Sequence, residues 1–328
     1  MMLGRIKGAQ VSQEKIVLLT AIVLFCVFSL FLKGFLSSGN LLTLVRGVSV
    51  LGILGVGMAM VVIGRGIDLT IVATYAMSAA WTFHLATLGV AIAPALALGF
   101  VLALAIGVTN GVLIAYAEIP ALFATLGMAA FVYGFVRFAL VPLYVVYMPA
   151  SANGIAWIGG GFVGDVPTPI LFFALIALLG FAFLRFTKAG RFIYAIGDNF
   201  AAARNSGAPV RGVIVLQYAL SGCIAYVAGM ITATSVSSMN TNVANSSLIY
   251  DVILVVVLGG IGLSGGRGGI RNVLVGTLLI GILLNGMTIM DIQYTLQNVI
   301  RSLILLAAIV LDSLVNPRDE QTEQQGDI

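Results

Sequence analysis

Charge is scarce in this sequence: Asp, Glu, Lys and Arg make up 9% of its 328 residues, against roughly 25% in a soluble globular domain. A soluble domain is therefore excluded. Histidine occurs once and cysteine twice. Cys26 and Cys223 both sit inside apolar runs, where a free cysteine behaves as a small hydrophobe, so neither a disulfide nor a metal pair is read. His84 stands alone in an apolar run and reads as a packed or hydrogen-bonded side chain. No G-x-x-x-x-G-K-[ST] phosphate loop is present, so ATP is not handled by that route. There is no H-E-x-x-H and no close cluster of carboxylates, so no catalytic residue, no cofactor and no metal are expected. The net charge of +4 comes from basic residues in short loops between apolar runs, which points to membrane orientation and away from nucleic acid.

What the chain has instead is hydrocarbon. Apolar residues make up 60% of it, and mean hydropathy is +1.12. Continuous apolar runs predict about ten transmembrane helices, at 16–35, 44–63, 67–88, 93–116, 119–140, 168–185, 213–234, 248–263, 270–289 and 295–314. The runs do not alternate as barrel strands do, and lipid requires backbone groups to be satisfied within each segment, so the expected class is an all-α polytopic helix bundle. The basic start, with Arg5, Lys7 and Lys15 ahead of Ile16–Leu32, resembles a signal peptide. Its apolar run is long and lacks a small-residue cleavage site, so it reads as an uncleaved first span. An even number of crossings with the amino terminus inside puts twelve of the 16 basic residues in the cytoplasm and predicts both termini there. Residues 1–315 then form a single transmembrane domain, and 316–328 a polar cytoplasmic tail.

The longest polar interruption is Gly190–Gly212, within a basic cytoplasmic loop at about 186–212. Asp198 or Asn199 can cap a helix start, Gly207 suits a left-handed stop, and Pro209 prevents resumption, which predicts a helix of about two turns. Such a helix invites a soluble partner, although an ordinary solvated loop is the plainer reading. On the opposite side, Val141–Pro169 has four prolines and is long enough for a structured cap. Asp68 lies at a break between apolar runs, where it serves either as a helix cap or as part of a gate; Asp251 poses the same choice. Thr74, Asn110, Asn242 and Asn285 are polar positions that suit a path for a neutral polar solute, although interhelical hydrogen bonding accounts for each singly. Gly260, Gly262 and Gly265 match G-x-G-x-x-G, but no acidic residue lies between Val252 and Met290 to hold a ribose. A tight turn between packed helices explains them better. GIDLT at Gly66–Thr70 and GIGLS at Gly260–Ser264 form a weak internal echo.

Three segments, GMAMVVIGRGIDLT at Gly57–Thr70, GRFIYAIGDNFAAARNSGAPV at Gly190–Val210 and VVLGGIGLSGGRGG at Val256–Gly269, together resemble the permease subunits of ribose-type sugar ABC importers, a class that also takes up other monosaccharides and the furanosyl autoinducer signal. The resemblance covers the whole chain in order and spacing. It implies a multi-pass permease of the bacterial inner membrane that works by alternating access. Its partners would be ABC ATPase subunits, a periplasmic or extracellular sugar-binding protein and a second permease chain. By this resemblance Gly197, Asp198, Asn199, Phe200, Ala202, Arg204, Ser206 and Gly207 couple to the ATPase. Phe200 replaces the family's usual acid, which removes an ion pair and offers an aromatic to a groove. Val72 and Ala73 replace the usual glycine and serine after the Asp68 motif, which makes pairing with a different permease plausible. A branched-chain amino-acid permease and an ion-coupled secondary transporter are the alternatives; the scarcity of intramembrane carboxylates for ion coupling counts against the latter.

Overall fold

The computed structural model describes residues 13–315. Arg5, Lys7, Arg318 and the polar tail of 316–328 lie outside the described residues. Helices dominate: α1 Gln13–Phe31, α2 Ser38–Ile63, α3 Ile71–Thr87, α4 Ile92–Ala115, α5 Ala121–Phe135, α6 Trp157–Gly160, α7 Thr168–Phe186, α8 Lys188–Asp198, α9 Phe200–Asn205, α10 Val210–Ser235, α11 Leu248–Leu258, α12 Ile270–Ile289 and α13 Tyr294–Val315. Each apolar run read from the sequence falls on one helix. Among the described residues, seven are long and apolar enough to cross a membrane: α1, α2, α4, α5 with its π-helical continuation to Leu140, α7, α10 and α12. The fold is an all-helical polytopic bundle. By length, α3 with 17 residues and α11 with 11 fall short of a full crossing.

The helices divide by what surrounds them. In α2 every residue from Leu51 to Ile63 is buried, and α3 is buried nearly throughout. They form the centre with α10, α11 and part of α12. The peripheral helices reverse the pattern of a soluble protein, since α1, α4, α5 and α7 leave Leu19, Val101, Phe123 and Leu178 bare. Large apolar side chains on the outside of a bundle need hydrocarbon around them. A smaller cluster of Phe28, Phe35, Leu279 and Ile282 fastens α1 to α12.

A peripheral helix, α4, touches the central α10 backbone to backbone. A Cβ on Gly107 of α4 would stand 2.9 Å from the Ala219 Cα of α10, and one on Gly222 of α10 would run into the Ala103 carbonyl of α4. Small residues allow this approach, which replaces the hydrophobic drive that lipid cannot supply.

Four short strands complete the fold at the end opposite α8 and α9: β1 Val145–Tyr147, β2 Phe162–Val163, β3 Val166–Pro167 and β4 Ser238–Asn240. β1 pairs antiparallel with β4, Val146 opposite Met239, and β2 pairs with β3. The Val141–Pro169 segment is thus a folded cap, joined through β1 to the chain leaving α10.

Candidate functional site

The three segments singled out in the sequence meet at one end of the bundle, and each arrives on a helix that stops in the same way. At the end of α2 the Arg65 amide donates to the Val62 carbonyl and the Gly66 amide to the Val61 carbonyl, the paired bonds of a Schellman stop. α9 ends identically at Gly207, which donates to Arg204 while Ala208 donates to Ala203; α11 does so at Gly260 and Ile261. Gly207 and Gly260 take the left-handed conformation, with φ 79° and 95°, at little cost because they lack a Cβ. Arg65 takes it too, at φ 68°, where an L-residue loses roughly 1–2 kcal/mol. The stops align Arg65 with Gly260, so the sequence echo of GIDLT and GIGLS is one residue out of structural register.

The Arg65 side chain explains the strained position. Its Nε donates to the Ser264 carbonyl at 2.9 Å and its Nη2 to the Asp198 carbonyl at 3.0 Å. One guanidinium thereby joins the end of α2, the glycine turn after α11 and the last residue of α8. Burial pulls its pKa below the ordinary arginine value, and the Asp198 charge acts in the opposite sense. Beside it the Gly266 amide donates to the Ile63 carbonyl at 2.8 Å. Gly197 lies against that bond: a Cβ there would collide with the Ile63 oxygen and the Gly266 nitrogen. Tyr194 closes the contact, donating to the Gly268 carbonyl at 2.9 Å.

The polar interruption is more ordered than a loop. Gly190–Asp198 belongs to α8, capped by the Thr187 hydroxyl on the Gly190 amide, with Ile193 and Ile196 fully buried. Asn199 then caps α9, accepting from the Ala202 amide at 2.9 Å, so of the two candidate caps Asn199 is the one used. α9 spans six residues, close to the two turns expected. Ala202, Arg204 and Ser206 project from it or its end, and Asp198 is exposed beside it. Phe200 is half-buried and packs against the main core.

The other polar positions fall into four places. Asp68, 2% exposed, accepts at Oδ1 from the Thr70 amide and hydroxyl, and at Oδ2 from the Ser221 hydroxyl at 2.7 Å. The Asn110 amide donates to the Thr70 hydroxyl oxygen, and Tyr218 to the Ile67 carbonyl. This network binds the entry of α3 to α4 and α10; the N-cap position itself is Thr70, which makes no side-chain cap bond, and Asp68 acts one step earlier, on the Thr70 amide. Thr74 is buried one turn further on, its carbonyl accepting from Ser78. Asp251 of α11 makes a buried ion pair with Arg301 of α13, which also donates to Asn298. Asn285 and Asn40 exchange two amide hydrogen bonds of 2.8 and 2.9 Å, tying α12 to α2. Asn242 is exposed near the β1–β4 pair and accepts from the Tyr133 hydroxyl at 3.1 Å. Sequence reading missed Arg65 and Tyr194 as members of the junction; the residue between two glycines in Gly64–Arg65–Gly66 was the available signal for the first.

A bundle with bare apolar flanks, a buried polar network and a junction of helix stops at one end is a membrane transport subunit in architecture. The chain belongs to the family described as branched-chain amino acid transport system / permease component, whose pattern matches residues 40–309. It is 32% identical over 302 residues to the ribose import permease protein RbsC of Escherichia coli (strain K12), covering 90% of this chain and 92% of that protein. To the ribose import permease protein RbsC of Bacillus subtilis (strain 168) it is 33% identical, covering 88% and 89%. To the galactofuranose transporter permease protein YtfT of Escherichia coli (strain K12) it is 29% identical, covering 84% and 80%. No solved structure matches the chain.

Proposed function

We propose that this chain is the membrane-spanning permease subunit of an ABC importer that carries a monosaccharide or related small polar sugar across a bacterial inner membrane by alternating access. The observation that carries the reading is the Arg65 junction, which joins α8 and the adjoining α9 mechanically to two turns of the central helices. A push on α9 is thereby delivered to α2 and α11 without an intervening flexible linker. ATP hydrolysis belongs to separate ATPase subunits seated on α9, where Asp198, Asn199, Phe200, Ala202, Arg204, Ser206 and Gly207 face or shape the contact. Ten crossings with both termini inside place this junction in the cytoplasm and the β1–β4 pair outside, where a sugar-binding protein docks. Residues 1–315 act as one permease domain with a coupling segment at about 186–212, and 316–328 as its tail. A second permease chain completes the pore. Asp68, Thr74 and Asn110 belong to its gate, Asp251 and Asn285 hold the moving helices, and Asn242 stands at the outer mouth. The sugar assignment is supported by the ribose and galactofuranose permeases among the relatives, against the amino-acid wording of the family description.

The test is to extract the native complex in mild detergent through a tag on this chain and to identify the co-purifying polypeptides by mass spectrometry. An ATPase with a phosphate loop and a sugar-binding protein support the importer; recovery of the chain alone, under conditions that keep a known importer whole, points to an ion-coupled carrier. Uptake into proteoliposomes then separates solutes: inhibition by ribose and not by leucine supports the sugar.

A further inference from the structure

We propose that the α8 end of the bundle carries a binding site for the headgroup of an acidic phospholipid, separate from the coupling contact on α9. A cavity of about 480 Å³ lies between the start of α1, the end of α7, the start of α8 and the start of α12. Three guanidinium groups line it: Arg185 from α7, Arg191 from α8 and Arg271 from α12. All three residues are exposed. Neither the ion pair of Arg211 with Glu118 nor that of Arg301 with Asp251 draws on any of the three. Glu14 is the acidic residue on the wall, which leaves a net lining charge of three minus one. Beyond Glu14 the walls add no anion: the Tyr194 hydroxyl is turned to the Gly268 carbonyl, and the N-cap of α12 is Gly269, with no side-chain cap bond. Arginine forks match phosphate oxygens in pairs, and an uncapped helix start favours the same negative charge.

What distinguishes a lipid from a free phosphate ion is the flank. α1 and α7, which frame the cavity, are among the least covered helices: Leu19, Leu178 and Phe186 are 63%, 63% and 68% exposed. Phe186 directly follows Arg185. An occupant of this place meets cationic walls at its head and bare hydrocarbon along its length, the two chemistries that a phospholipid joins. Basic pockets between helices at the cytoplasmic interface suit this recognition. The inference uses the inward placement of this end and is independent of the solute carried.

Native mass spectrometry of the intact transporter tests it. The complex is equilibrated with equal amounts of phosphatidylglycerol and phosphatidylcholine, and the lipid retained per permease chain is counted. Wild type is expected to retain phosphatidylglycerol in preference, and Arg185→Gln/Arg191→Gln/Arg271→Gln to lose that preference by about tenfold or more. A charge-matched control, Lys33→Gln/Lys188→Gln/Arg211→Gln, is expected to keep it. Equal retention by the pocket variant and the wild type overturns the site. Displacement of phosphatidylglycerol by 10 mM inorganic phosphate overturns the lipid and assigns the cavity to a soluble anion. A crosslink from a photoreactive group at position 191 to the ATPase subunit, and not to lipid, shows a protein interface and likewise overturns it.

Discussion

The Arg65 guanidinium donates a 3.0 Å hydrogen bond to the main-chain carbonyl of Asp198, across 133 residues of sequence. The acceptor is backbone, so the contact fixes where α8 ends and leaves the Asp198 carboxylate exposed for a partner. The donor is held in a left-handed conformation, which places structural strain at the centre of the proposed coupling junction.

Arg65→Gln removes the guanidinium bonds to Ser264 and Asp198. Charge-assisted hydrogen bonds contribute about 1.5–3 kcal/mol each when well buried, and less at this partly exposed site. Sugar uptake per ATP hydrolysed is expected to fall roughly tenfold, measured in proteoliposomes with the ATPase present. Arg65→Gly separates the two properties of the residue, since it relieves the left-handed strain while still losing the bonds. Its melting temperature should hold while its coupling falls as in the glutamine variant. Normal coupling in Arg65→Gly would show that the side chain transmits nothing.

Gly197 and Gly207 should fail for different reasons. A Cβ at Gly197 meets the backbone of Ile63 and Gly266, whereas at Gly207 it meets open space and only the φ of 79° resists it. Gly197→Ala is expected to lower the melting temperature of the purified permease as well as uptake. Gly207→Val, with about 1–2 kcal/mol of local backbone strain, should insert normally in the membrane and yet transport poorly. Wild-type uptake by Gly207→Val would remove the α9 stop from the coupling mechanism.

The Asp68 carboxylate accepts three hydrogen bonds in a buried place, so removing it strands the Thr70 and Ser221 donors. Each stranded polar group costs about 1–3 kcal/mol. Asp68→Ala should therefore melt well below wild type in detergent, and Ser221→Ala by a smaller margin of about 1 kcal/mol. A shared drop for the double variant, smaller than the sum, is the mark of one network.

Breaking the buried pair of Asp251 and Arg301 on one side should cost about 3–5 kcal/mol, while replacing both partners by apolar groups recovers much of it. The cycle of Asp251→Leu, Arg301→Met and their combination, read by thermal unfolding, checks this. A double variant that melts near wild type but no longer transports would give the pair a part in the motion between α11 and α13.

The helices were legible because each apolar run had only lipid or other helices to face, and α9 was legible because Asn199, Gly207 and Pro209 are side-chain signals for a start and a stop. α8 was hidden: its short apolar centre, Phe192 to Ile196, is flanked by Lys188, Arg191 and Asp198, whose charges give an eleven-residue helix the look of a loop. The Asn40–Asn285 exchange and the Arg65 junction are contacts between distant parts of the chain, and no local pattern encodes a distant acceptor. Crossing number was read from run length, yet α3 and α11 are short because central helices can end inside protein, where turns satisfy the freed backbone groups.

The glycine seam between α4 and α10 has a further consequence. With Gly107 set against Ala219 and Gly222 against Ala103, no bulky side chain lies between the two backbones at these positions to act as a bearing. Sliding would drive Cα atoms into carbonyl oxygens. The two helices are thereby locked into one rigid body, and the rotation that the proposed alternating access requires has to be taken up outside this pair.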